Sequence, residues 1–195
     1  MLTHSRREES RLYGKLWTNL IFQTKYRIDA ARLTSYDYGS NGAYFITICT
    51  KDKEHFFGDI VIVDDTPVIQ PTAIGQRTLD GWLLIPGFSP FVQLNAFQLM
   101  PNHFHGILFI NKPAYDGWQP NVFGPQSQNL ASVLRGFKSG VKSHATINQI
   151  PFCWQARYYD RVIRNENELN RIRQYIIDNP AKWAQHSANK EGLYM

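Results

Sequence analysis

The run from Leu99 to Ile110, Leu-Met-Pro-Asn-His-Phe-His-Gly-Ile-Leu-Phe-Ile, constrains the fold more than any other part of this 195-residue chain. Proline has no amide hydrogen for a ladder and asparagine favours turns, so Pro101-Asn102 divides two apolar runs, Phe91 to Met100 and His103 to Ile110, into a hairpin. Successive strand side chains face opposite ways. His103 and His105 therefore share one face while Phe104 points into the core. Two imidazoles side by side on a rigid strand are a candidate ligand pair for a divalent metal.

The flanking sequence supplies the remaining elements. Tyr44 to Thr50 is rich in β-branched and aromatic residues and reads as a first strand, with Gly58 to Val63 as a short second one. Ile69 to Leu84 places Ile74, Leu79, Trp82 and Leu83 on a helical period, ended by Pro86-Gly87. Residues 111 to 128 are a proline- and glycine-punctuated loop. Leu130 to His144 carries Leu130, Val133, Leu134, Phe137 and Val141 on one face of an amphipathic helix, with Arg135, Lys138 and Lys142 elsewhere on it. Phe152 to Ile163 reads as extended. Asn165 caps a helix from Glu166 to Asn179, with Glu168 in the capping-box position and Pro180 as its stop. The order predicts an α+β fold, a central antiparallel sheet with helices packed on one face.

Charge divides along the chain: net +4 over residues 1–36, −4 over 37–130, +5 over 131–173 and zero beyond. Two basic blocks that converge in space suit a polyanion such as nucleic acid. Only two cysteines occur, Cys49 and Cys153, without metal-type spacing. This predicts small buried residues in a reducing setting. No apolar stretch approaches the roughly 20 residues that span a bilayer, and the N-terminus lacks a signal-peptide core. The expected setting is soluble and cytoplasmic, with no membrane partner.

On the last predicted helix, Tyr175 and Asn179 stand at i and i+4, so a phenol and an amide project from one face. If that helix lies against the histidine strand, the Asn179 oxygen completes a site with His103 and His105. Open coordination positions there suit Mg²⁺ or Mn²⁺ more than a closed zinc site. Tyr175 is then the candidate nucleophile, because a phosphotyrosine conserves the ester bond for rejoining. Tyr158 and Tyr159 are rivals by chemistry alone.

Several segments resemble one family in order: Tyr36-Asp37-Tyr38 with Gly42 to Thr50, Met100-Pro101-Asn102-His103-Phe104-His105-Gly106, Phe137-Lys138-Ser139, Trp154 to Asp160 with Ile163-Arg164-Asn165, and Tyr175-Ile176 with Asn179-Pro180 and Trp183. Together they resemble the REP-associated tyrosine transposases, single-tyrosine relatives of insertion-sequence transposases within the HUH endonucleases. The resemblance spans roughly residues 32–184. It implies a ferredoxin-like or RRM-like core, a divalent metal on His103 and His105 with Asn179 as third ligand, and Tyr175 forming a 5′-phosphotyrosine on single-stranded or hairpin DNA. The implied organisation is an N-terminal basic arm over 1–35, a transposase-like catalytic domain over 36–184 and a tail over 185–195, working as a monomer or homodimer. Arg135, Lys138, Lys142, Arg157, Arg161 and Arg164 are candidate phosphate contacts by charge and position. Tyr158, with Trp154 and Tyr159, is a candidate for stacking on unpaired bases. The competing readings are a catalytically silent hairpin-binding module of the same fold and, more weakly, a small-molecule metallohydrolase.

Overall fold

The structure, a computed structural model, describes residues 36–115, 117 and 127–191. Its strands are β1 (Gly42–Cys49), β2 (Gly58–Val63), β3 (Thr66–Pro71), β4 (Val92–Met100), β5 (His103–Ile110) and β6 (Tyr159–Ile163). Its helices are α1 (Ala73–Leu83), the single turn α2 (Ile85–Phe88), α3 (Leu130–Ile147), α4 (Glu166–Ile177) and α5 (Asn179–Glu191). The arm expected over residues 1–35 lies outside the described residues.

Four strands pair antiparallel in the order β4-β5-β1-β6, and β2 and β3 form a separate two-stranded hairpin. With that hairpin set aside, the order β1-α1-β4-β5-α3-β6 is the split β-α-β arrangement of ferredoxin-like folds. The α+β expectation holds. Helices, however, cover both faces of the sheet. Tyr44, Ile46 and Ile48 of β1 and Phe104 and Leu108 of β5 enter a large core with Trp82 of α1 and Leu134, Phe137 and Val141 of α3. Phe45, Ile107 and Ile163 face the other way and meet Leu169 and Ile176 of α4. Strand alternation in β1 and β5 is apolar on both sides, and a strand with two apolar faces needs cover on each.

Gly106 shows how closely the larger core approaches the histidine strand. A Cβ there would fall 2.6 Å from Cζ2 of Trp82, so the indole lies directly on the backbone of β5. Only glycine leaves that space.

The helix expected from Ile69 begins at Ala73, because Thr66–Pro71 is β3 and Thr72 caps α1 by accepting from the Gly75 amide at 3.1 Å. Asp64 and Asp65 both have positive φ, 48° and 59°, the conformation of a two-residue hairpin turn that aspartate tolerates. The two prolines of β3 sit on a two-stranded edge. The extended stretch from Phe152 contracts to a bridge at Trp154 and the strand β6. Cys49 is half-buried and Cys153 exposed, so the expected burial of both cysteines is not met. Pro180 does not end helical structure. α4 stops at Ile177, Asp178 turns the chain with helical φ and ψ, and Asn179-Pro180 opens α5, where a missing proline amide costs nothing. α5 continues to Glu191, past the boundary expected at residue 184.

Candidate active site

His103 and His105 lie on the α4 side of β5, their ring centroids 4.6 Å apart, and Phe104 between them is fully buried on the opposite side. The strand register decides what surrounds them. Thr47 pairs with His105 and Cys49 with His103 on one side, and Gln98 and Met100 pair with them on the other. The Thr47 hydroxyl lies 2.8 Å from Nδ1 of His105, and Phe45 stacks on the same ring with centroids 5.4 Å apart. Asn102 Oδ1 lies 2.8 Å from Nδ1 of His103. Both rings therefore have Nδ1 engaged. Trp183 of α5 stands 5.9 Å from the His103 ring and 5.4 Å from His55.

Helix α4 brings Tyr175 onto this pair. Asn165 caps the helix by accepting from the Glu168 amide at 2.9 Å, and the Glu168 carboxylate reaches back to the Arg164 amide, one residue before the cap position. Leu169 and Ile176 supply the buried stripe, while Ile177 is exposed. Arg173 fixes the helix along the sheet. Its Nε donates to Asn95 Oδ1 at 2.9 Å, where β4 breaks register between Leu94 and Phe97, and Nη1 reaches Glu166 and Asn170. A bulge at that point turns the asparagine toward the helix.

The Tyr175 hydroxyl ends 3.3 Å from Nε2 of His105. Its ring meets Phe45 edge-on, and Lys182 Nζ stands 5.7 Å from the ring centroid while also lying 3.8 Å from Asp178. Tyr175 is 42% exposed as a residue, whereas His105 is 4% exposed. Burial, with the Lys53 ammonium nearby, pushes His103 down to about 4. Burial, with the neighbouring His103 ring, pushes His105 down to about 3. Both imidazoles are neutral at pH 7, the state a metal requires of a histidine ligand.

Asn179 is 9% exposed at the first residue of α5, one turn beyond Tyr175. Among the described residues no group of three or more His, Cys, Asp or Glu side chains is placed to hold a metal ion. His103 and His105 offer two neutral nitrogens, which suits a cation completed by oxygen ligands and does not suit a closed four-residue site. Of the rival tyrosines, Tyr159 shares the histidine face two strands away, about 10 Å at ordinary strand spacing, and Tyr158 packs toward the larger core.

Over 163 residues the chain is 39% identical to an uncharacterized protein of Haemophilus influenzae, a match covering 79% of this chain and 88% of that one. The two belong to one family. No family model matches the sequence. The solved structure of the REP-associated tyrosine transposase bound to a REP hairpin aligns with a TM-score of 0.54 at 17% identity, covering 80% of this chain and 74% of that one. The family thus has a transposase-like fold.

Two of the basic residues expected at a nucleic-acid surface are engaged with backbone carbonyls. Lys138 donates to the carbonyls of Gln155 and Arg157 at 2.9 and 2.8 Å, and Lys142 to that of Phe152 at 2.7 Å. Both ammoniums tie the segment before β6 to α3. Trp154 lies in the core among Phe57, Phe137 and Phe152, its indole donating to the Lys138 carbonyl. Arg157 is exposed and has φ of 67°. Arg161 pairs with Glu168. Arg135 and Arg164 are exposed on α3 and just after β6. Thr47, Arg173 and Lys182 stand beside these groups without having been singled out as site residues in the sequence, and Asn102 stood out there only as a turn residue within the family motif. Strand parity was readable for Thr47, but the register that sets it against His105 was not.

Proposed function

We propose that this protein is a metal-dependent single-strand DNA endonuclease and strand transferase, with Tyr175 as nucleophile and His103, His105 and Asn179 as ligands of Mg²⁺ or Mn²⁺. The observation that carries the reading is the 3.3 Å approach of an exposed phenol to a buried, neutral imidazole beside a second one. The transposase-like fold and the hairpin DNA carried by the 17% identical neighbour support the substrate class.

A bound cation would polarise the scissile phosphate and stabilise its developing charge. The chain's own residues do the rest. α4, held by Arg173 at the β4 bulge, delivers the Tyr175 oxygen to phosphorus. The Oη–P bond forms, the P–O3′ bond breaks, the phenol loses its proton and the departing 3′-oxygen takes one up. The products are a 5′-phosphotyrosine and a free 3′-hydroxyl, which reverse on attack by a 3′-hydroxyl. The Lys182 ammonium, 5.7 Å from the ring centroid, is placed to attract a phosphate beside Tyr175. Arg135, Lys138, Lys142, Arg157, Tyr158, Arg161 and Arg164 are proposed DNA contacts; for Lys138 and Lys142 this requires phosphate to share ammoniums that already bind carbonyls.

Incubation of a labelled hairpin oligonucleotide bearing single-stranded flanks with Mn²⁺ tests the reading. An adduct that survives SDS, forms with the wild type and is absent with Tyr175→Phe is expected. Tight hairpin binding with no adduct under any divalent metal would instead establish the silent binding module.

A further inference from the structure

We infer that Asn102 is a positioning residue that fixes the His103 ring in the tautomer able to bind a cation, an inference that rests on the metal-dependent reading above. Asn102 occupies the turn between β4 and β5. Its Nδ2 donates to the Lys53 carbonyl at 3.1 Å, and its Oδ1 lies 2.8 Å from Nδ1 of His103. Reversing the amide would press its oxygen against the Lys53 carbonyl, two acceptors with no proton between them. The amide therefore has one orientation. An acceptor then faces Nδ1, the neutral ring carries its proton there, and the Nε2 lone pair is left for a ligand.

The carbonyl that orients Asn102 is itself held in place. Asp52 and Lys53 adopt φ of 53° and 57°, consecutive left-handed conformations in residues other than glycine. Neighbouring bonds impose this turn. Lys53 donates its amide to the Thr50 carbonyl at 3.3 Å, and the Thr50 hydroxyl reaches the Glu54 carbonyl at 2.7 Å. The Asn102 carbonyl closes the arrangement by accepting from the Thr50 amide at 2.9 Å and the Thr50 hydroxyl at 3.0 Å. Strain kept by surrounding bonds collects where geometry matters to function. Here it aims one carbonyl at one amide, and that amide at one imidazole. Hydrogen-bonded partners of metal-binding histidines set ring orientation and ligand strength in this way.

The test uses the full chain with ¹⁵N-labelled histidine, read by long-range ¹H–¹⁵N correlation without metal at pH 7.5, and Mn²⁺ affinity by electron paramagnetic resonance. In the wild type His103 is expected as the Nδ1–H form. Asn102→Leu should lose that preference and weaken Mn²⁺ binding about 10- to 100-fold. Asn102→Asp keeps an acceptor for Nδ1 but sets a second oxygen against the Lys53 carbonyl, so it should retain the Nδ1–H ring and bind Mn²⁺ less tightly than wild type but more tightly than Asn102→Leu. Three results would overturn the inference: an Nε2–H ring in the wild type, an Asn102→Leu variant matching wild type in both readouts, or an Asn102→Asp variant as weak as Asn102→Leu, which would make the tether to Lys53 the whole effect. A wild type that holds the Nδ1–H ring, loses it in Asn102→Leu and takes up no Mn²⁺ upholds the positioning contact and overturns only the metal-dependent function.

Discussion

His105 illustrates how a single side chain links stability to function. Its ring and that of His103 are held neutral in the folded protein, down to about 3 and 4, whereas an unfolded chain protonates both near 6.5. The unfolded state thus binds more protons below that value, and stability falls as pH falls through it. Between pH 7 and 4.5 the metal-free protein should lose on the order of 2 kcal/mol for each ring, measured by urea denaturation. His105→Asn should remove one ring's share of that slope, and an unchanged slope would show that the ring is not desolvated as described. Thr47 belongs to the same scale. Thr47→Val keeps the shape and removes the hydroxyl beside Nδ1 of His105, and it should weaken Mn²⁺ binding about tenfold while Thr47→Ser restores it.

At the level of elements, the strand that carries the histidines is fixed from behind by Trp82 and the helix that carries Tyr175 is fixed at its ends. Gly106→Ala would drive a methyl into the indole and should cost about 1 to 3 kcal/mol, read as a lower urea midpoint. Asn165→Ala removes the cap of α4 and should cost about 1 kcal/mol. β5 and α4 were legible in the sequence because apolar alternation, a proline turn and a cap with its acidic partner act locally. The histidine face followed from parity alone. β3 was not legible, since its prolines argue against a strand and its Asp-Asp turn is a weaker signal than Asn-Gly. The continuation past Pro180 was also missed, because proline stops one helix and opens another by the same property, its lack of an amide hydrogen. The helical face shared with Asn179, together with resemblance to the transposases, singles out Tyr175 among ten tyrosines. The contact that supports it depends on register and on the Asn95 bulge, and neither can be read locally.

At the scale of the whole molecule, the basic residues of the described part divide between structural contacts and exposed positions. The +5 block of residues 131–173 places Lys138 and Lys142 against backbone carbonyls on the α3 side of the sheet and Arg161 beside Glu168. Lys138→Met should therefore destabilise the fold by about 1 kcal/mol through its two lost carbonyl contacts. Arg164→Ala, at an exposed position, should leave stability within about 0.5 kcal/mol and lower the salt dependence of hairpin binding by about one phosphate. Equal effects in both assays would remove the distinction.

Among the described residues, the sheet also separates a large hydrophobic cluster under α1 and α3 from a small one of five buried residues under α4. Tyr175 rides on the layer with the smaller described cluster, held by polar contacts at Asn165 and Arg173. Excursions in which α4 lifts away are thus cheaper than global unfolding. Backbone amides of Glu166–Ile177 should exchange with deuterium well before those of His103–Ile110, so the tyrosine can withdraw from its imidazole while the strand beneath keeps its shape.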